Sequence, residues 1–402
     1  MVAAGTLATF VVAALASLFM AWAIGAGSSG STPFAPAVGA NAISVMRAGF
    51  IVGLLGFAGA FLQGANVTNA VGTELIGGVT LTAGAAVVAL LTAAVLVAIG
   101  VFAGYPIATA FTVTGAVVGV GLAMGGVPAW AKYQQIVSLW VLTPFVGGGA
   151  SYATARLLRA DGVSERWTVP ALAGLVGLLV ANMEFAGLGG ASGSASIARA
   201  AAVELTGLGG LGGLGETVWF VAASLLVALA AAAVVGRWVT TDKTRGQRRF
   251  LLVLGGLVAF SAGGSQVGLA IGPLVPLLDA VTVPLPALLV GGGLGLLAGS
   301  WTGAPRMIKA LAQDYSSLGP RRSIAAMIPS FAIAQTAVAL GVPVSFNEII
   351  VSAIIGSGYA AGGSGVSGRK MLYTVLAWVG SLALALGLSY GVFTLVSSVL
   401  GV

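Results

Sequence analysis

The chain repeats itself, and the repeat lies within sequence too apolar for water. Gly104-Tyr105-Pro106-Ile107 returns as Gly341-Val342-Pro343-Val344, an offset of 237 residues, and Thr114 to Gly121 returns in the same register as Val351 to Gly358. Trp140 corresponds to Trp378, and a glycine-rich break beginning at Gly25 corresponds to one beginning at Gly263, both at an offset of 238. Of the 402 residues, 58% are hydrophobic and 7% charged, and mean hydropathy is +1.07. These values belong to a membrane protein, which must satisfy its backbone polar groups internally and does so here as helices. Two related halves in such a chain are the mark of many secondary transporters, in which the substrate lies between the copies.

Twelve apolar runs predict about 12 transmembrane segments in an all-α membrane protein. The runs over 107–126 and 345–362 are short and follow a proline, as expected of discontinuous helices. With every run crossing, 15 of the 17 Lys and Arg fall on one face, and only Lys132 and Arg199 fall on the other. This positive-inside asymmetry predicts a multi-pass protein of the cell membrane with both termini outside. Residues 1–160 are then a first transmembrane repeat and 250–402 a second. Residues 161–249 form a two-span connection with a Gly-rich outer loop over 187–215 and a basic cytoplasmic loop. Because the second copy enters from the opposite face, the repeats have inverted topology.

Composition also removes classes of function. The chain has no Cys and no His, which excludes thiol chemistry and the usual zinc ligands. No nucleophile-base motif supports an enzyme, and no cofactor is implied. The net charge of +7 comes from basic residues in short loops between apolar spans, so the lipid bilayer and not nucleic acid is the expected partner. Glycine-rich apolar faces are compatible with a homodimer.

The two breaks are the candidate site. The first contains Gly27, Ser28, Ser29, Ser31 and Thr32 before Pro33; the second contains Gly264, Ser265 and Gln266 before Pro273. Glycine lets the backbone leave the helix and proline removes a donor. Freed N–H groups at the start of a resumed helix, with uncharged hydroxyls beside them, suit an oxyanion.

At these residues the chain resembles the inorganic phosphate transporter (PiT) family, which includes sulfate permease members. Phe260 to Pro273 is similar to the family's F-x-H-G-A-N-D-V-A-N-A-I-G-P, and both Gly104–Gly121 and Gly341–Gly358 are similar to G-x-P-x-S-T-T-H-A followed by G-A-x-x-G-x-G. Ile136 to Pro144 resembles the helix that follows. The resemblance implies alternating-access uptake of an inorganic oxyanion, phosphate first and sulfate next, coupled to sodium or a proton. It also adds Thr109 and Ser345 to the substrate set. Where the family has Asn-Asp, this chain has Gly27-Ser28 and Ser265-Gln266, so both signature acids are neutral. The family's His becomes Phe111 and Glu348. A passive anion channel or uniporter on the same fold is the alternative reading.

Glu348, beside Asn347, is a carboxylate in apolar surroundings, where acids are costly and tend to be functional. It is either a proton carrier or an interface residue paired with Lys or Arg. With Asn347, Ser28 and Gln266 it makes the candidate coupling site. Gly64-Ala65-Asn66-Val67-Thr68-Asn69-Ala70 reads more like the family signature than either break. Its register is roughly forty residues late, so it is expected to pack helices, with Asn66 and Asn69 bonding to neighbours.

Overall fold

The computed structural model describes residues 4–400 except 191–192, 208–214, 314, 316–317, 361 and 363–366. The first half runs through α1 (Ala4–Ile24), α2 (Ala35–Gly39), α3 (Val45–Gln63), α4 (Ala65–Thr73), α5 (Ala83–Ala103), α6 (Thr109–Ala123) and α7 (Trp130–Leu157). The connection holds α8 (Glu165–Ala181), α9 (Ile197–Gly207) and α10 (Glu216–Thr241). The second half holds α11 (Lys243–Ile271), α12 (Leu278–Val281), α13 (Leu285–Thr302), α14 (Ala304–Gln313), α15 (Pro320–Ala339), α16 (Phe346–Tyr359) and α17 (Gly368–Leu400). Among the described residues, 8 helices are long and apolar enough to cross a membrane. The remaining four expected crossings are α6, α8 and α16, with 15, 17 and 14 residues, and α15, which opens on Arg321 and Arg322.

Local sequence explains the short helices. α5 is capped by Thr82, whose Oγ1 accepts from Ala85 N at 3.2 Å, and ends at Gly104 in the left-handed conformation (φ 75°). Its repeat counterpart Gly341 has φ 60°, and proline follows each glycine within two residues. A left-handed glycine ends the helix and the proline keeps the chain extended. α6 and α16 therefore start inside the bilayer and reach only about 22 Å, against a hydrocarbon core of about 30 Å.

The halves pack by exchange. α6 lies on α17 while α16 lies on α7, and α3 lies on α11 while α13 lies on α1. Trp140 Nε1 donates to Pro343 O and Trp378 Nε1 donates to Pro106 O, each at 2.8 Å. These four residues are the sequence markers of the repeat, and each tryptophan ties down the proline segment of the other copy. The copies are also inverted. α1 leads toward the face where Arg248 Nε donates to Ala42 O and Ser323 Oγ to Pro36 O, whereas α11 starts from that face. On the opposite face Lys132 pairs with Glu74 at 2.8 Å, Gln63 Nε2 donates to Glu184 O, and strands β1 (Ile76–Gly77) and β2 (Val127–Pro128) pair antiparallel. The Gly-rich segment begins there as a hairpin of β3 (Glu184–Ala186) and β4 (Ser194–Ser196), followed by α9; part of it lies outside the described residues.

Both breaks begin later than read. In the first, α1 continues as a π-helical turn over Gly25–Ser29, and only after Ser29 does the chain pass through turns into α2. The second does not begin at Gly263, because α11 continues through Gly263, Gly264 and Gly268 to Ile271 and only then tightens into a 3₁₀ turn over Gly272–Leu277. Those glycines serve contact instead. A Cβ on Gly263 would stand 1.8 Å from Gly56 O, so the missing side chain admits α3 against α11. Gly263→Ala is accordingly expected to cost about 1–3 kcal/mol, read as a lower melting temperature in detergent. Gly380→Ala, which meets nothing within 4 Å, should not lower it.

Candidate functional site

Ser28 and Gln266 stand 238 residues apart and are therefore equivalent positions of the two copies. Ser28 Oγ donates to Gln266 Oε1 at 3.1 Å. Direct contact between equivalent positions puts this pair on the pseudo-two-fold axis, which for inverted repeats lies in the plane of the membrane near its middle. Thr109, the first residue of α6, donates from Oγ1 to the same Oε1 at 2.8 Å, and Gln266 Nε2 donates to Val344 O at 2.6 Å. Asn347 Nδ2 donates to Gly27 O at 2.9 Å and Ile107 O at 2.7 Å. The side-chain amides of Gln266 and Asn347 thus tie the second copy to the first through two hydroxyls and two carbonyls. Every one of these side chains is buried.

The network is neutral and sits at the N-termini of α6 and α16, whose dipoles present partial positive charge to it. Ser29 Oγ, Ser265 Oγ and Asn347 Oδ1 are buried and make no hydrogen bond to the described residues. Buried hydroxyls rarely lack partners, and these two belong to residues next in sequence to Ser28 and Gln266. Other expected residues are occupied. The hydroxyls of Ser31 and Thr32 donate to Ser28 O at 3.2 and 3.0 Å and hold the π-helical turn. Ser345 caps α16, its Oγ accepting from Glu348 N at 3.5 Å. A Cβ on Gly264 would meet Gln63 Cβ at 2.7 Å and one on Gly27 would meet Val101 at 2.6 Å, so both glycines face neighbouring helices.

Residues 24–389 match the family model described as the phosphate transporter family. The chain belongs to the phosphate transporter family. Relatives agree along the length. A Thermococcus kodakarensis protein named as a candidate phosphate permease is 26% identical over 89% of this chain and 90% of its own. The Arabidopsis thaliana protein named inorganic phosphate transporter 2-1, chloroplastic, is 24% identical over 91% of this chain and 68% of its own. The solved structure titled as the sodium-dependent phosphate transporter superposes with a TM-score of 0.79 at 21% identity, over 97% of this chain and 99% of that one, which establishes the shared fold.

Within this family member, Glu348 stands apart from the neutral network. It is 1% exposed, its Oε2 has no hydrogen-bond partner, and among the described residues it joins none of the ion pairs. The interface-pair reading is therefore not what the structure shows. It lines a cavity of about 850 Å³ between α7, α16 and α17, with Trp140 and Trp378 on the walls. Its repeat counterpart Phe111 stacks on Trp140 at 3.9 Å. Equivalent positions thus carry a ring in one copy and a carboxylate in the other.

The Gly64–Ala70 string lies elsewhere. It forms the start of α4, where Asn66 Nδ2 donates to Val338 O at 3.4 Å across to α15, and Asn69 O accepts from Thr73 on its own helix. Asn66 instead borders a cavity of about 520 Å³ that includes Gln63 and Gln335. Sequence reading missed that Gln63–Gln335 pair, whose amides bond reciprocally and with Ser261. It also missed the carbonyls of Ile107 and Val344, although the proline segments that present them were visible.

Proposed function

We propose that this chain is a secondary active transporter of inorganic phosphate, with the substrate held on the pseudo-two-fold axis between the N-termini of α6 and α16. The observation that carries the reading is the Ser28–Gln266 contact with Thr109 and Asn347 around it, a polar site at the junction of two inverted copies in a member of the phosphate transporter family. Ser29 and Ser265 supply hydroxyl donors, the helix dipoles supply positive potential, and the copies rock about the site to expose it to each side in turn. The Lys/Arg-rich face is cytoplasmic by the positive-inside rule, with both termini outside the cell.

The coupling cation is a proton carried by Glu348. That residue is a buried carboxylate one position after Asn347 on α16, whereas Ser28 and Gln266 offer no formal charge and are bonded to each other. A second reading, sodium coupling, is favoured by the sodium-dependent title of the superposed structure. Purified protein in liposomes with labelled phosphate separates them. An acid exterior should drive phosphate above its equilibrium level without sodium, and excess sulfate should compete poorly. Accumulation that requires sodium and ignores pH assigns the second reading. No accumulation under either gradient overturns active phosphate transport.

A further inference from the structure

We propose a second anion site, on the Lys/Arg-rich face, that takes a phosphate group. Four cations from separate parts of the chain converge on one concavity of about 430 Å³: Arg159 after α7, Lys243 and its neighbour Gln247 on α11, and Arg321 and Arg322 at the start of α15. The arrangement is held in place from beneath by Glu165, whose side chain is 7% exposed. Its Oε2 accepts from Gln247 Nε2 at 2.6 Å and lies 3.0 Å from Lys243 Nζ, and its Oε1 pairs with Arg321. One buried carboxylate thus fixes two of the cations and the amide.

This differs from the general excess of basic residues on that face. Arg237 and Lys309 belong to the same face yet do not line the concavity. Guanidinium groups grip phosphate oxygens in pairs of parallel hydrogen bonds, and the first amides of α15 add the positive end of a helix dipole. A phosphate group bound here joins the end of α7 in the first copy to the start of α15 in the second. The same chemistry is offered by a free phosphate anion and by the headgroup of an anionic lipid, since the site lies where water meets bilayer.

Thermal unfolding of the purified full chain tests the site without reading transport, so its outcome is independent of the proposed function. In detergent, inorganic pyrophosphate should raise the melting temperature of the wild type. In Arg159→Gln/Arg322→Gln the half-saturating concentration should rise about tenfold or more, the loss expected for two charged hydrogen-bonding partners. Arg237→Gln/Lys309→Gln controls for face-wide charge and should respond as the wild type does. A parallel series in phosphatidylcholine vesicles with and without phosphatidylglycerol identifies the source. Stabilisation by phosphatidylglycerol alone, lost in the pocket variant, assigns a lipid headgroup; stabilisation by pyrophosphate assigns a free anion. Equal responses from all three proteins, or none from the wild type to either probe, overturn the site.

Discussion

Gln266→Leu should abolish phosphate uptake. The change keeps the side chain's size and removes its polar atoms, leaving the Val344 carbonyl unpaired and the Ser28 and Thr109 hydroxyls only each other, at 3.4 Å. A buried polar group left unpaired costs about 1–3 kcal/mol, so the orphaned carbonyl alone costs on that order. The loss falls on the junction itself, because both hydroxyls belong to the first copy and the amide to the second. Labelled phosphate uptake should drop to the level of protein-free liposomes. Ser28→Ala separates function from folding: it removes one donor of the shared acceptor and leaves Thr109 in place. It should stay monodisperse, melt close to the wild type, and lose uptake only in part. Full uptake in Gln266→Leu would show that the axis contact is not the substrate site.

How much of this was legible depended on whether a residue's type admits one explanation. Gly104 and Gly341 with their following prolines could mark only ends of helices, and each sits in the left-handed region with extended chain after it. Trp140 and Trp378 were legible as markers, but a repeat spacing does not say that equivalent elements touch. The indole bonds to the opposite proline segments needed coordinates. Gly263 was ambiguous because the same residue breaks a helix or admits a neighbour, and α3 decided it by lying against α11. Ser28 and Gln266 were readable as corresponding positions, while their contact followed from lying on the axis. Asn347 was placed at the site from its neighbour Glu348, yet its partners are the carbonyls of Gly27 and Ile107, which leave no side-chain signature. The basic concavity was hidden for another reason. Arg159, Lys243 and Arg321 are far apart in sequence, and each alone reads as an ordinary cytoplasmic-loop charge.

Glu348→Gln should remove accumulation driven by an acid exterior while leaving phosphate exchange down its own gradient. The substitution preserves shape and hydrogen-bonding capacity, and it deletes the one property that coupling needs, gain and loss of a proton. The position favours this division of roles. Glu348 follows Asn347 on α16, so it moves with a residue that ties the two copies together, and its carboxylate borders the cavity beside Trp140 and Trp378 instead of the neutral network. In the proposed mechanism phosphate binding falls to the hydroxyls and helix ends, and proton coupling to the acid. A carboxylate in the membrane interior is costly, and such residues mark functional sites. Wild-type uptake should rise as the outer pH falls and the variant's should not, with initial rates of phosphate exchange at symmetric pH similar in the two. If the variant still concentrates phosphate against its gradient when the exterior is made acid, Glu348 carries no proton, and the driving cation must enter through Ser28, Gln266 and the carbonyls around them.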